Sequence, residues 1–157
     1  VVAGEVRPRA DQNGTTLVVR VDDGLHALAD RRALRQVLTN LLSNACKFTH
    51  QGRVTLWARA EGQRLVVDVE DTGVGMSPED LAVVFEPFQQ GYAGQNQGTG
   101  LGLAICQRLV QGMGGQLTVT SEEGRGSCFR VDLPLAEPPQ AELPRGEARA
   151  EAVARAS

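Results

Sequence analysis

The sequence predicts a two-layer α/β sandwich, a mixed sheet of about five strands backed by three or four helices. Three observations predict it. Short runs of alternating apolar residues recur at 16–21, 53–60, 64–70, 116–121 and 127–133. Glycine turns, Glu61-Gly62-Gln63 and Glu123-Gly124-Arg125-Gly126, join four of these runs into two hairpins. Between the first two runs lies a long stretch with apolar residues at the helical period.

The elements follow in order. Residues 1–13 read as the end of a helix stopped by Gly14, although Pro8 disfavours a helix there. A strand follows at 16–21, where Leu17, Val19 and Val21 alternate. Asp30 is a good N-cap for a helix reaching about Lys47. Gln51-Gly52 turns the chain into the first hairpin. Ser77-Pro78-Glu79-Asp80 combines an N-cap, a first-turn proline and two acids, and starts a short helix ending near Phe85. Residues 86–97 are rich in glycine and amides without periodicity, the make-up of a mobile loop. A helix is expected from about Thr99 to Gln111, then the second hairpin.

One domain, residues 1–135, accounts for these elements in a chain of 157 residues. Residues 136–157 mix Pro, Ala, Glu and Arg and read as a flexible linker or disordered tail. The chain begins at Val1 without an initiator Met and is expected to be a fragment of a larger protein. The net charge of −3 suits neither a nucleic-acid surface nor a polybasic membrane anchor. No apolar run approaches the ~20 residues of a membrane span. Cys46, Cys106 and Cys128 have no metal-ligand spacing and are expected to be small core residues.

Three segments carry chemistry. On a helical wheel of the 31–47 stretch, Leu34, Val37, Leu38, Leu41, Leu42, Ala45 and Phe48 form a core arc. Gln36, Asn40, Asn44 and Lys47 form a separate narrow stripe. Asparagine is a poor helix-interior residue, so two on one stripe are either a solvated face or ligands. As ligands, an Asn oxygen suits a magnesium ion whose charge is matched by phosphates, and Lys47 supplies a point charge. Second, a strand ends in Asp71-Thr72-Gly73-Val74-Gly75. This is a surface turn, or a carboxylate that accepts from the adenine amine while Gly73 and Gly75 let backbone approach the ring. Third, Gly98, Thr99, Gly100, Leu101 and Gly102 open a helix whose free N–H groups suit an anion. The segment lacks the Gly-Lys-Ser/Thr ending of a P-loop and the dinucleotide fingerprint. Phe85 and Phe88 precede the loop as core, hinge or clamp residues.

Taken together, these residues resemble the catalytic ATP-binding domain of sensor histidine kinases, within the gyrase–Hsp90–histidine kinase–MutL ATPase superfamily. Residues 40–49 are similar to the N box, 71–75 to the G1 box, 85–88 to the F box and 98–103 to the G2 box. The resemblance implies the Bergerat fold, with ATP held beneath a flexible lid. It implies Asn44 as the Mg2+ ligand, Asn40 as its support and a partner of a phosphate-bound water, and Lys47 on phosphate. It further implies Asp71 on adenine with Ser127 assisting through a water, Phe88 bordering the nucleotide, and residues 98–102 around the β- and γ-phosphates.

Asn40 stands where ATP-hydrolysing relatives carry a glutamate base, which favours phosphoryl transfer. The lid at 89–97 has no Lys or Arg, so γ-phosphate stabilisation is weaker or comes from a partner domain. Neither His26 nor His50 lies in an acceptor motif. The resemblance therefore implies an acceptor histidine on a separate helical hairpin domain of the same cytoplasmic, sometimes membrane-anchored, parent. A response-regulator receiver domain is the further partner, placed after the tail in a hybrid kinase. The fragment itself is expected to be a monomer without membrane contact. A serine kinase of the same superfamily and a non-catalytic ATP-sensing or docking module are the alternatives.

Overall fold

The computed structural model describes residues 2–88 and 100–136. The lid at 89–97, Gly98, Thr99 and the tail from 137 onward lie outside the described residues. Helix α1 (Val2–Gln12) is followed by β1 (Thr16–Val21), α2 (Arg31–Phe48), the hairpin β2 (Arg53–Glu61) and β3 (Arg64–Asp71), and α3 (Pro78–Val83). Helix α4 (Gly102–Gly112) leads into the hairpin β4 (Gln116–Glu122) and β5 (Gly126–Pro134). The five strands form one sheet in the order β1-β2-β3-β5-β4. β1 and β2 are parallel, as the α2 crossover between them demands, and the other pairings are antiparallel.

Helix α2 starts where Asp30 caps it, accepting hydrogen bonds from the N–H groups of Arg32 and Ala33. Its Val37, Leu41, Leu42, Ala45 and Cys46 are buried against Val54, Val69, Phe129 and Val131 of the sheet. Leu34 and Leu38, expected in the core arc, are only partly buried, and Cys46 is fully buried. α1 packs on one flank of α2 and α4 on the other. Pro8 does sit inside α1. Burial of Val6 and Ala10, an ion pair from Glu5 to Arg35 and a 3.3 Å hydrogen bond from Arg9 Nη1 to Ser43 Oγ hold the helix despite it. Proline costs ~3 kcal/mol in a helix interior, so packing here outweighs local propensity. α3 ends at Val83, two residues before the expected end.

The second face of the sheet carries charge. Asp68 on β3 accepts from Arg59 of β2 and Arg130 of β5, both at 2.8 Å. Burial alone would raise the Asp68 pKa, but the hydrogen bonds from Arg130 and Arg59 outweigh it and hold the carboxyl below its usual range. Arg59 also stacks on Trp57, 4.2 Å from the ring centroid. Cys46 and Cys106 are buried as expected of core thiols. Cys128 is not a core residue: its register between Glu70 and Thr120 puts it half-buried on the charged face. Burial there, with Asp68 and Glu70 nearby, pushes its thiol up to about 11.

Gly126 opens β5 with φ of 113°, and a Cβ there would collide with the Asp71 carbonyl oxygen. Gly126→Ala should therefore cost about 2–4 kcal/mol in urea unfolding. Gly4→Ala, in helix α1 with open space around it, should be neutral or stabilising by up to about 1 kcal/mol. Equal effects from the two would contradict the close approach of β5 to the end of β3.

Candidate functional site

The site forms where the C-terminal half of α2, the turn after β3, the start of α4 and the β4–β5 hairpin meet. Asp71 ends β3 on the helix-facing side of the sheet, 7% exposed. Its Oδ1 accepts the Gly73 N–H at 2.9 Å. Burial raises the Asp71 pKa; the N–H groups of Gly73 and Ser127 pull it back, and Glu70 pushes with burial. The turn from 72 to 76 is gripped from both sides. Val74 N–H donates to the Phe48 carbonyl at 3.3 Å, and the Val74 carbonyl accepts from Gly124 N–H at 2.7 Å. Gly75, with φ of 66°, passes so close to the Glu122 carbonyl that a side chain cannot be placed there.

Thr49 caps the C-terminal end of α2 and is fully buried beside this turn. Its Oγ1 finds no hydrogen-bond partner among the described residues. It lies near enough to Asp71 to lower that pKa, but no well-formed hydrogen bond joins them. A buried carboxyl and an orphaned hydroxyl together fit a ligand that offers donors, as the amine edge of adenine and a bridging water do. Thr49 closes the N-box stretch in the sequence but has no role of its own there; its orphaned hydroxyl emerges only from the fold.

Ser127 is the register partner of Asp71 on β5. Its hydroxyl lies 2.8 Å from Ser121 Oγ. The Ser121 proton goes to the Gly126 carbonyl at 2.9 Å, so Ser127 donates to Ser121. Ser121 also accepts the Met76 N–H at 2.8 Å, which ties the turn to the hairpin. Ser127 thus serves Asp71 through its backbone N–H, and its hydroxyl keeps acceptor capacity only. Ser121 and Met76 went unnoticed in the sequence because this bracing depends on strand register.

Asn40, Asn44 and Lys47 are half-buried along α2, whereas Gln36 at the head of the stripe is exposed. Asn40 touches the start of α4: its Nδ2 donates to Cys106 Sγ at 3.1 Å, and a Cβ on Gly102 would lie 2.6 Å from Nδ2. Lys47 Nζ sits 5.1 Å from the Phe48 ring centroid. Burial and, after it, the Arg9 guanidinium lower the Lys47 pKa. Arg9 is a second cation beside the stripe, without a local sequence signal because its place depends on how α1 packs on α2. A groove of about 570 Å³ opens between α2 and α4, lined by Arg32, Arg35, Gln36, Asn40, Gly102 and Ile105. Another of about 330 Å³ lies beside Asp71 and Ser127.

Of the expected phosphate cradle, Gly100, Leu101 and Gly102 are described; Gly98 and Thr99 lie outside the described residues. Gly100 has φ of 70°, and its carbonyl accepts the Phe88 N–H at 3.0 Å, pinning together the chain on both sides of 89–99. Phe85 stacks edge-on against Phe129 in the core, with centroids 6.4 Å apart. Phe88 is instead 74% exposed, with φ of 64°. His26 and His50 are both exposed.

Comparison with known proteins gives the family and the fold. Residues 29–137 match the family described as histidine kinase-, DNA gyrase B-, and HSP90-like ATPase, and the chain belongs to that family. It is 46% identical over 136 residues to the sensor protein TorS of Escherichia coli strain K12, covering 86% of this chain and 14% of TorS. It is 43% identical over 144 residues to the sensor histidine kinase RcsC of the same organism, covering 83% of this chain and 15% of RcsC. The chain thus spans a small part of either relative. Among solved structures, full-length ShkA in complex with AMPPNP superposes with a TM-score of 0.76 at 41% identity, over 86% of this chain and 28% of that one. The mycobacterial sensor histidine kinase MprB superposes with a TM-score of 0.74 at 26% identity, over 85% and 93% of the two chains. The fold is the α/β architecture of histidine kinase catalytic domains.

Two substitutions test the buried end of this site. A raised carboxyl pKa opposes folding above the unfolded value of ~3.9, and that opposition fades as pH falls through the folded pKa. Asp71→Asn should therefore leave the nucleotide-free domain as stable or more stable at pH 7. It should weaken adenine-nucleotide binding about 10- to 100-fold in calorimetric titration. Thr49→Val removes an unsatisfied buried hydroxyl and should stabilise the nucleotide-free domain by about 1 kcal/mol in thermal unfolding. A loss of stability there would mean that the hydroxyl already has a partner.

Proposed function

We propose that this domain binds Mg-ATP and donates the γ-phosphate to a histidine on a separate helical hairpin domain of the same protein, in two-component signalling. One observation carries the reading: the amide of Asn40, not a carboxylate, meets the start of α4. A site built to hydrolyse ATP needs a general base to activate water, and a neutral carboxamide cannot remove its proton. A site that only positions and neutralises a transferring phosphoryl group needs none.

Each residue has a task in this reading. Asp71 accepts from the adenine amine, with Gly73 and Gly75 admitting the ring and Ser127 and Thr49 completing the polar edge. Gly98, Thr99, Gly100, Leu101 and Gly102 hold the β- and γ-phosphates, Phe88 borders the nucleotide, and Lys47 supplies positive charge. The described residues contain no cluster of three or more His, Cys, Asp or Glu that could hold a metal ion. The donor set fits a magnesium ion that arrives with the nucleotide phosphates, ligated from the protein by the Asn44 oxygen. When bound, that ion would neutralise phosphate charge. The acceptor imidazole nitrogen attacks Pγ, the bond from Pγ to the bridging oxygen breaks, and ADP leaves with the electron pair. The receiver domain of a response regulator is the downstream acceptor. No described helix is long and apolar enough to cross a membrane.

Asn44→Ala in the full-length kinase should lower acid-labile phosphohistidine formation about 100-fold. It should also remove the magnesium dependence of nucleotide binding. Retained phosphorylation would overturn the metal assignment. Phosphate appearing on an acid-stable serine instead would favour the serine-kinase reading.

A further inference from the structure

Gly102 belongs to the stretch expected around the β- and γ-phosphates. In the structure, the space its side chain would fill is taken by Asn40, with Nδ2 at 2.6 Å and Oδ1 at 2.9 Å from a Cβ built there. Cys106 lies four residues on, one turn along the same face of α4, so both residues face the same point on α2. The Cys106 thiol is fully buried and takes the Asn40 Nδ2–H at 3.1 Å. Its own proton is directed to the Val37 carbonyl, 3.9 Å away. A thiol that spends its proton on a carbonyl offers only lone pairs to its other neighbour. The carboxamide must then present its NH2 to the sulfur, which turns Oδ1 away from it.

We propose that Gly102 and Cys106 are positioning residues that clamp the Asn40 carboxamide and fix which of its ends faces the nucleotide phosphates. The clamp rests on the assignment of Asn40 to the phosphate side of the site. A free Asn amide flips easily and presents donor or acceptor at random, so a group meant to support a metal shell gains from being locked. Burial raises the Cys106 pKa and keeps the thiol protonated, as the arrangement requires. The same contact makes α2 and α4 one unit. A shift of the glycine-rich helix start therefore displaces the Asn40 amide with it.

The test is calorimetric titration of the full 157-residue chain with Mg-AMPPNP and, separately, with adenosine. Cys106→Ala should weaken Mg-AMPPNP about 5- to 10-fold and leave adenosine affinity unchanged. Cys106→Ser, which keeps an acceptor of similar size, should restore binding to within about twofold. In an Asn40→Ala background, Cys106→Ala should have no further effect. Equal losses for both ligands, or an undiminished Cys106→Ala effect in the Asn40→Ala background, would overturn the clamp and leave Cys106 as core packing. The side-chain amide protons of Asn40 give a readout in the nucleotide-free protein. By NMR they should exchange slowly with solvent in the native chain and in Cys106→Ser, and rapidly in Cys106→Ala. If Asn40→Ala leaves Mg-AMPPNP affinity unchanged, the phosphate role of Asn40 fails. Protected amide protons would then still support the clamp, and unprotected ones would overturn it.

Discussion

The constraint on which this structure depends is a carboxyl group buried at the end of a central strand. Asp71 is almost wholly buried, accepts a short hydrogen bond from the Gly73 N–H and is pushed toward its neutral form by burial. Such a group survives only if its surroundings hold it in place. They do so through backbone rather than side chains. Gly73 lies against the end of α2, Gly75 against the Glu122 carbonyl and Gly126 against the Asp71 carbonyl. Ser121 stitches the turn to the hairpin. At Gly73, Gly75 and Gly126 there is no room for a side chain, because backbone crowds in around this carboxylate.

At the other end of the site the same economy of space recurs in a different form. Helix α2 buries one face against the sheet and lies between α1 and α4, yet it carries Asn40, Asn44 and Lys47 on a half-buried flank. Asparagine inside a helix opposes the helix, and burying a lysine opposes its charge. Both are tolerated because the strong apolar face of α2 holds the helix regardless. The fold thus carries two unfavourable arrangements, one at each end of the candidate site, on elements packed into the core.

Much of this was legible in the sequence because period and turn chemistry are local. Every strand appears within two residues of its expected bounds, and Asp30 and Ser77 cap the helices they were expected to cap. The grouping of Asn40 with Gly102 followed from their types and order, and the structure brings them into contact. What stayed hidden depends on register and packing. Thr49, Ser121 and Arg9 are unremarkable residues until the chain is folded around Asp71 and Ser43. Cys128 looked like its two fellow cysteines, and only strand register puts it on the opposite face. The helix read at 1–13 forms with Pro8 inside it, because two buried residues of the same helix, Val6 and Ala10, meet the core.

In the proposed function the buried Asp71 carboxylate reads adenine. Calorimetric titration of the native chain with ATP and with GTP, each with magnesium, tests it most directly. Measurable ATP binding is expected, with GTP binding weaker by at least about tenfold, since guanine sets a carbonyl against the Asp71 carboxylate where adenine offers an amine. Equal affinity for the two nucleotides, or binding of neither, would contradict it.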